Sequence, residues 1–176
     1  MLSKCRPAIA LSVALSVVLV LGFPAQAQDT DHPSARIYGS RIGLVGRTTA
    51  NGHVIQERDR FVALPSPRAL SSRDGREYEV RLTYRGRSAV APVWDIGPWN
   101  QTDDFWALDR RGAPDLPRFL PQAQAAIERG HNGGRSLSGR LVTAPMAIDI
   151  ADGLFWDDLG MTQGDWLEVA FLWLTQ

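Results

Sequence analysis

Two apolar runs, each with one carboxylate set into it, constrain what this chain can fold into. The first is Val93-Trp94-Asp95-Ile96-Gly97-Pro98-Trp99; the second is Ala147-Ile148-Asp149-Ile150-Ala151-Asp152. Apolar neighbours on both sides bury the backbone around each aspartate, and a buried carboxylate is costly unless it is paired, hydrogen-bonded or protonated. Gly97-Pro98 breaks the first run, so Asp95 sits at a strand end. Asp95 alone reads equally well as a residue that caps the turn by accepting its backbone N–H groups. Two of them in one small domain favour a shared site.

The start of the chain is of another kind. Lys4 and Arg6 precede the apolar stretch Ala8 to Phe23, and Pro24-Ala25-Gln26-Ala27 closes it. This is the layout of a cleaved export signal over residues 1–27. The stretch is too short to favour a membrane anchor, so no stable anchor is expected after cleavage and the destination is the periplasm or the exterior. The single cysteine, Cys5, lies inside the signal. An exported chain without disulfides must rely on its core, and about 150 mature residues suffice for one domain. Lys4 and Arg6 leave with the signal, so 17 basic residues face 19 acidic ones. That balance points away from nucleic acid and from anionic membrane surfaces.

Residues 28–36 are polar and read as a flexible leader, with the folded domain spanning 37–176. Ile37-Tyr38 and Ile42 to Val45 read as short strands split by Gly39-Ser40, and Phe61 to Leu64 as a buried strand stopped by Pro65. Tyr78 to Tyr84 alternates cleanly, with Tyr78, Val80 and Leu82 on one face. A turn at Arg85-Gly86-Arg87 returns the chain as Ser88 to Asp95, which places Asp95 on the face of Ala89, Ala91 and Val93. Pro92 inside that strand implies a bulge or a sheet edge. Residues 100–145 hold one short helix, Gln122 to Arg129, started at Pro121 and stopped at Gly130. Phe105, Trp106, Phe119 and Leu120 are too apolar for this segment to stand clear of the domain. A second helix is expected over Gly153 to Leu159, with Asp152 as N-cap and Phe155, Trp156 and Leu159 as its core stripe. The last strand, Trp166 to Leu174, carries Leu167, Val169, Phe171 and Trp173 on one face. Many short strands with frequent turns describe a mainly β chain and a small β-barrel.

Three stretches, in order, resemble the double-psi β-barrel of the rare lipoprotein A family. Gly46-Arg47-Thr48-Thr49-Ala50-Asn51-Gly52 is similar to its G-x-x-T-A-x-G loop, and Asp95-Ile96-Gly97-Pro98-Trp99 to its D-x-G-P-aromatic motif. Ile148-Asp149-Ile150-Ala151, then Leu159-Gly160 and Gly164-Asp165-Trp166-Leu167-Glu168-Val169, are similar to its I-D-L-S segment, L-G helix end and closing strand. The resemblance implies a six-stranded closed barrel with a groove across one face, relatives among lytic transglycosylases, expansins and family 45 glycoside hydrolases, and a polysaccharide such as peptidoglycan as partner. The chain departs from the family twice. Leu64 stands where the transglycosylases carry a histidine, and residues 100–145 form a long insertion between the two aspartate motifs.

Glycosidic cleavage needs a general acid whose pKa an apolar setting has raised. Asp149, between two isoleucines, is the first candidate and Asp95 the second. Trp99, Phe105, Trp106 and Trp156 offer rings on which sugars could stack. Thr49 and Asn51 of the first motif, with Asn100 beside Trp99, complete the expected substrate-binding set. Asp152, Asp157 and Asp158 lack the spacing of a Ca²⁺ loop, and no His, Cys and carboxylate set has zinc spacing. No metal or cofactor is expected. Three readings remain open on these residues: an enzyme cleaving cell-wall glycan, a non-catalytic expansin-like binding module, and a structural envelope protein that uses the barrel as scaffold.

Overall fold

The computed structural model describes residues 32–175. The expected export signal and the beginning of the expected leader lie outside the described residues. Six strands close into a barrel in the order β1-β5-β2-β4-β3-β6: β1 Ser34–Arg41, β2 Val62–Leu64, β3 Glu79–Tyr84, β4 Arg87–Ile96, β5 Met146–Ile150 and β6 Asp165–Phe171. β1 runs parallel to β5 and β2 parallel to β4, while the other four pairings are antiparallel. Alternation sets the interior, because successive side chains point to opposite faces. Ile37, Val62, Leu64, Val80, Leu82, Val93, Ile148, Ile150, Leu167, Val169 and Phe171 fill it, each 3% exposed or less.

Several expected boundaries move. β1 begins at Ser34, inside the supposed leader, because Ala35 and Ile37 alternate inward and the strand pairs with β6 from Ser34 onward. It also runs through Gly39. A Cβ there would come within 2.7 Å of Leu167 and 2.9 Å of Ile150, so the glycine admits close packing instead of ending the strand. Ile42 to Val45 is not a strand. Gly43 and Leu44 both take left-handed φ, 56° and 60°, and Leu44 and Val45 are exposed.

The turn after β5 is a π-helix, Gly153–Asp158, not an ordinary α-helical turn. Leu154, Phe155, Leu159 and Met161 close the barrel core there. Asp152 makes no cap hydrogen bond; its carboxylate pairs with Arg41 at 3.2 Å. Trp156 leaves the expected core stripe and is 38% exposed, beneath the guanidinium groups of Arg41 and Arg58 at 4.7 and 5.1 Å from the ring centroid.

The insertion packs on the barrel. Phe105 and Trp106 are buried, and Phe105, Trp106 and Phe119 all meet Phe171 at ring distances of 5.8–5.9 Å. Its helix, α1, is Gln122–Arg129, with Pro121 at its start and Gly130 left-handed (φ 66°) at its end. Polar contacts do the rest. Asp103 accepts from Arg110 (2.5 Å) and from the Gln122 backbone N–H (2.6 Å). Asp104 accepts from Arg68 (2.6 Å) and from the N–H groups of Arg111 and Gly112. Burial acts to raise the pKa of Asp104, but the Arg68 guanidinium and the two N–H groups outweigh it and hold that carboxyl below its ordinary value.

Candidate functional site

Register brings the two aspartates together. On the barrel wall Ser40 pairs with Asp149, Asp149 with Ala63, and Ala63 with Asp95, one row across β1, β5, β2 and β4. In-register neighbours share a face. Ala63 lies between core residues Val62 and Leu64, and Asp149 between Ile148 and Ile150, so the row faces out of the barrel. Two strand spacings separate the Cα atoms of Asp149 and Asp95, about 10 Å. Ala63, 1% exposed, lies between them in the row, and Gly97 lies beside Asp149.

Asp95 reaches this row through a bulge. Val62 pairs with Val93, but the next residue, Ala63, pairs with Asp95. One extra residue on β4 therefore turns Asp95 from the inward face of Val93 to the outward face. The sequence pattern had placed the two on one face. Pro92 fits because β2 pairs with β4 only from Val93 onward.

The two carboxyl groups are held differently. Asp95 Oδ1 accepts from the backbone N–H of Ala50 at 2.8 Å and of Ile96 at 2.9 Å. Asp149 Oδ1 accepts from the Ser40 hydroxyl. Asp149 Oδ2 faces Gly97, where an added Cβ would lie 3.8 Å away. Burial pushes the Asp149 carboxyl up to about 6; the Ser40 hydrogen bond opposes this and the nearby Asp95 charge adds to it. The site thus offers one carboxyl whose hold on its proton is raised toward neutral pH beside a second that accepts two backbone N–H groups.

The walls come from two loops. On one side the loop after β1 lays Thr49-Ala50-Asn51 against Asp95. Thr49 is 4% exposed and its hydroxyl donates to Asn51 Oδ1 at 2.7 Å, while Asn51 Nδ2 donates to the Ser72 carbonyl. Both side chains shape the loop that delivers the Ala50 N–H. On the other side Gly97-Pro98-Trp99 leaves β4. Trp99 (φ 57°) packs on Ala123, Ala126 and Val142, and Arg140 lies 5.4 Å over its ring. Its Nε1 is buried and has no hydrogen-bond partner among the described residues.

Three expected binding residues have other work. Trp106 is 2% exposed and stacks on Phe171, so no ring face is free for a sugar. Phe105 is fully buried beside it. Asn100, 2% exposed, donates to Gln122 Oε1 at 2.9 Å and accepts from the Leu137 N–H at 2.7 Å; it ties the insertion together. Neither nearby histidine bonds to the carboxylates. His53 pairs with Asp59 at 2.7 Å and lies against Trp94, and His131 pairs with Asp115 at 3.0 Å. Leu64 is fully buried in the core. Ser40, Ala63 and Gly97 were not singled out for the site from sequence. Ser40 meets Asp149 across 109 positions, a distance no local pattern encodes.

A family model described as a domain of unknown function (DUF8814) matches residues 33–170. The chain belongs to that family. No curated protein matches the sequence. The matched region of the DUF8814 domain contains the barrel almost entire, the insertion and every residue of the carboxylate row. Among the described residues no cluster of three or more His, Cys, Asp or Glu is arranged to hold a metal ion, and no helix is long and apolar enough to cross a membrane.

Proposed function

We propose that this chain is an exported double-psi barrel of the rare lipoprotein A type that cleaves cell-wall glycan, with Asp149 as general acid. The observation that carries the reading is the outward row in which Asp149, raised to about 6, faces Asp95 across Ala63. Two parallel pairings in an otherwise antiparallel barrel support the double-psi topology. Neutral Asp149 gives its proton to the glycosidic oxygen as the bond to the anomeric carbon breaks. In a lytic transglycosylase the resulting carboxylate then takes the proton of the sugar's own hydroxyl as that oxygen closes on the anomeric carbon, leaving an anhydro end. In a hydrolase Asp95 activates a water instead, which requires carboxyl groups roughly 6.5–9.5 Å apart for inversion.

The alternative is an expansin-like module that binds glycan without cleaving it. The fully buried Leu64 at the family's histidine position favours it. The deciding experiment incubates protein lacking residues 1–27 with purified peptidoglycan and analyses the supernatant by mass spectrometry. Fragments with anhydro ends support the transglycosylase and fragments with reducing ends the hydrolase. Sedimentation with the glycan and no release supports the binding module. Neither release nor binding, on peptidoglycan or on other polysaccharides, would end the glycan reading.

A further inference from the structure

We propose that Ser40 is a positioning residue that fixes which oxygen of Asp149 carries the reactive proton. The inference rests on the acid role just given to Asp149. Ser40 lies in register with Asp149 on the adjoining parallel strand, and its hydroxyl donates to Oδ1. An oxygen that accepts that bond serves as the carbonyl oxygen of the neutral acid, so the proton goes to Oδ2. Oδ2 has no other hydrogen-bond partner among the described residues and faces Gly97. Gly97 sits at φ 153°, a conformation that side chains rarely adopt, and any side chain there would bring a carbon to within 3.8 Å of Oδ2. Gly97 sets no side chain beside the proton-bearing oxygen, and the serine keeps the proton on it.

β1 supplies this hydroxyl because Gly39, just before it, lets the strand pack tightly on Leu167 and Ile150. Ser40 is only partly buried, so its replacement leaves the barrel core unchanged.

The test uses Ser40→Ala and Ser40→Thr in protein lacking residues 1–27, with the Asp149 carboxyl followed by carbon-detected NMR titration. Hydrogen bonding to the ionised form lowers a carboxyl pKa. Ser40→Ala should therefore raise that of Asp149 by about one unit, and Ser40→Thr should restore it. On peptidoglycan, Ser40→Ala should lower kcat about tenfold with KM unchanged and move the alkaline limb of the kcat profile upward with the titration. Ser40→Thr should keep both near wild type. An unchanged Asp149 titration in Ser40→Ala, or a shift that Ser40→Thr does not reverse, overturns the proposal. So does a kcat and pH profile unaltered by Ser40→Ala in an active protein. Should wild type cleave no glycan, the acid role falls and the positioning of a reactive proton falls with it. The NMR titration then still shows whether Ser40 holds Oδ1, which separates the two failures.

Discussion

Two aspartates of this molecule, buried Asp103 in the insertion and half-buried Asp149 on the barrel wall, are both pushed up to about 6 by loss of solvent, yet their surroundings differ in kind. Asp103 is fully buried and meets Arg110 at 2.5 Å and the Gln122 N–H at 2.6 Å. Its countercharge is built in. Asp149 has a single hydroxyl, an open oxygen and a like charge next to it. Among the described residues no cation pairs with it. The first arrangement holds a loop-rich segment together. The second leaves a protonatable group poorly compensated at an outward face, which is costly for folding and useful for proton transfer. A raised carboxyl pKa alone therefore does not mark a site; the partners decide.

This contrast is open to direct attack. The largest expected effect is on chemistry: Asp149→Asn should reduce glycan cleavage by about 10²–10⁴-fold while binding stays near wild type, because the amide keeps the shape and has no acidic proton to give. A stable, fully active Asp149→Asn protein would erase the distinction. Next comes stability. Asp103→Ala strands Arg110, a guanidinium 5% exposed, without its carboxylate. At pH 7 it should cost about 3–5 kcal/mol in urea denaturation, whereas Asp149→Asn at the same pH should cost about 1 kcal/mol or less. Equal losses would place both residues in the structural class.

The pH dependence sharpens the same point. The Asp149 pKa is higher in the folded chain than its ordinary 3.8. The folded state therefore holds that proton longer, so the group favours folding in acid and this contribution is lost as pH rises through about 6. The stability of wild type minus that of Asp149→Asn should fall by up to about 3 kcal/mol between pH 4 and pH 7. Asp104, held below its ordinary value, works in the opposite sense and loses its contribution only as pH drops under that value. A difference that grows with pH would contradict the assigned setting of Asp149. The smallest effect belongs to Arg140→Ala. Lifting the guanidinium off Trp99 should change stability by about 0.5–1 kcal/mol. The variant should leave the Asp149 titration where it is, because the insertion's seat on Trp99 is made by Ala123, Ala126 and Val142.

Much of the fold was legible because its signals are local. The alternation of Tyr78 to Tyr84 and of Leu167 to Phe171 matches the inward faces of β3 and β6. Pro121 and Gly130 bracket α1 as their backbone preferences require. The apolar settings of Asp95 and Asp149 drew attention to the pair before any geometry was known. The aromatic residues were less readable. Trp106, a candidate platform by sequence, is 2% exposed, and Trp156, a candidate core residue, is 38% exposed. Both have apolar neighbours in the chain. What separates them is the element each packs against: Phe171 for Trp106, and Arg41 with Arg58 for Trp156.

The sequence by itself determined the mainly β character, the short helix, the apolar neighbourhood of both carboxylates and the need for the insertion to pack. These follow from side-chain period, turn chemistry and the cost of exposing apolar surface, all written within a few residues. The tertiary structure decided that Asp95 faces outward, through one extra residue of β4 between the pairings Val62 with Val93 and Ala63 with Asp95. It decided that Asp149 answers to Ser40, and that Gly97 lies beside Asp149 Oδ2. Strand register is set by hydrogen bonds between segments far apart in the chain, and a slip of a single residue reverses every side chain beyond it. The site depends on that register, so it becomes visible only once the barrel is closed.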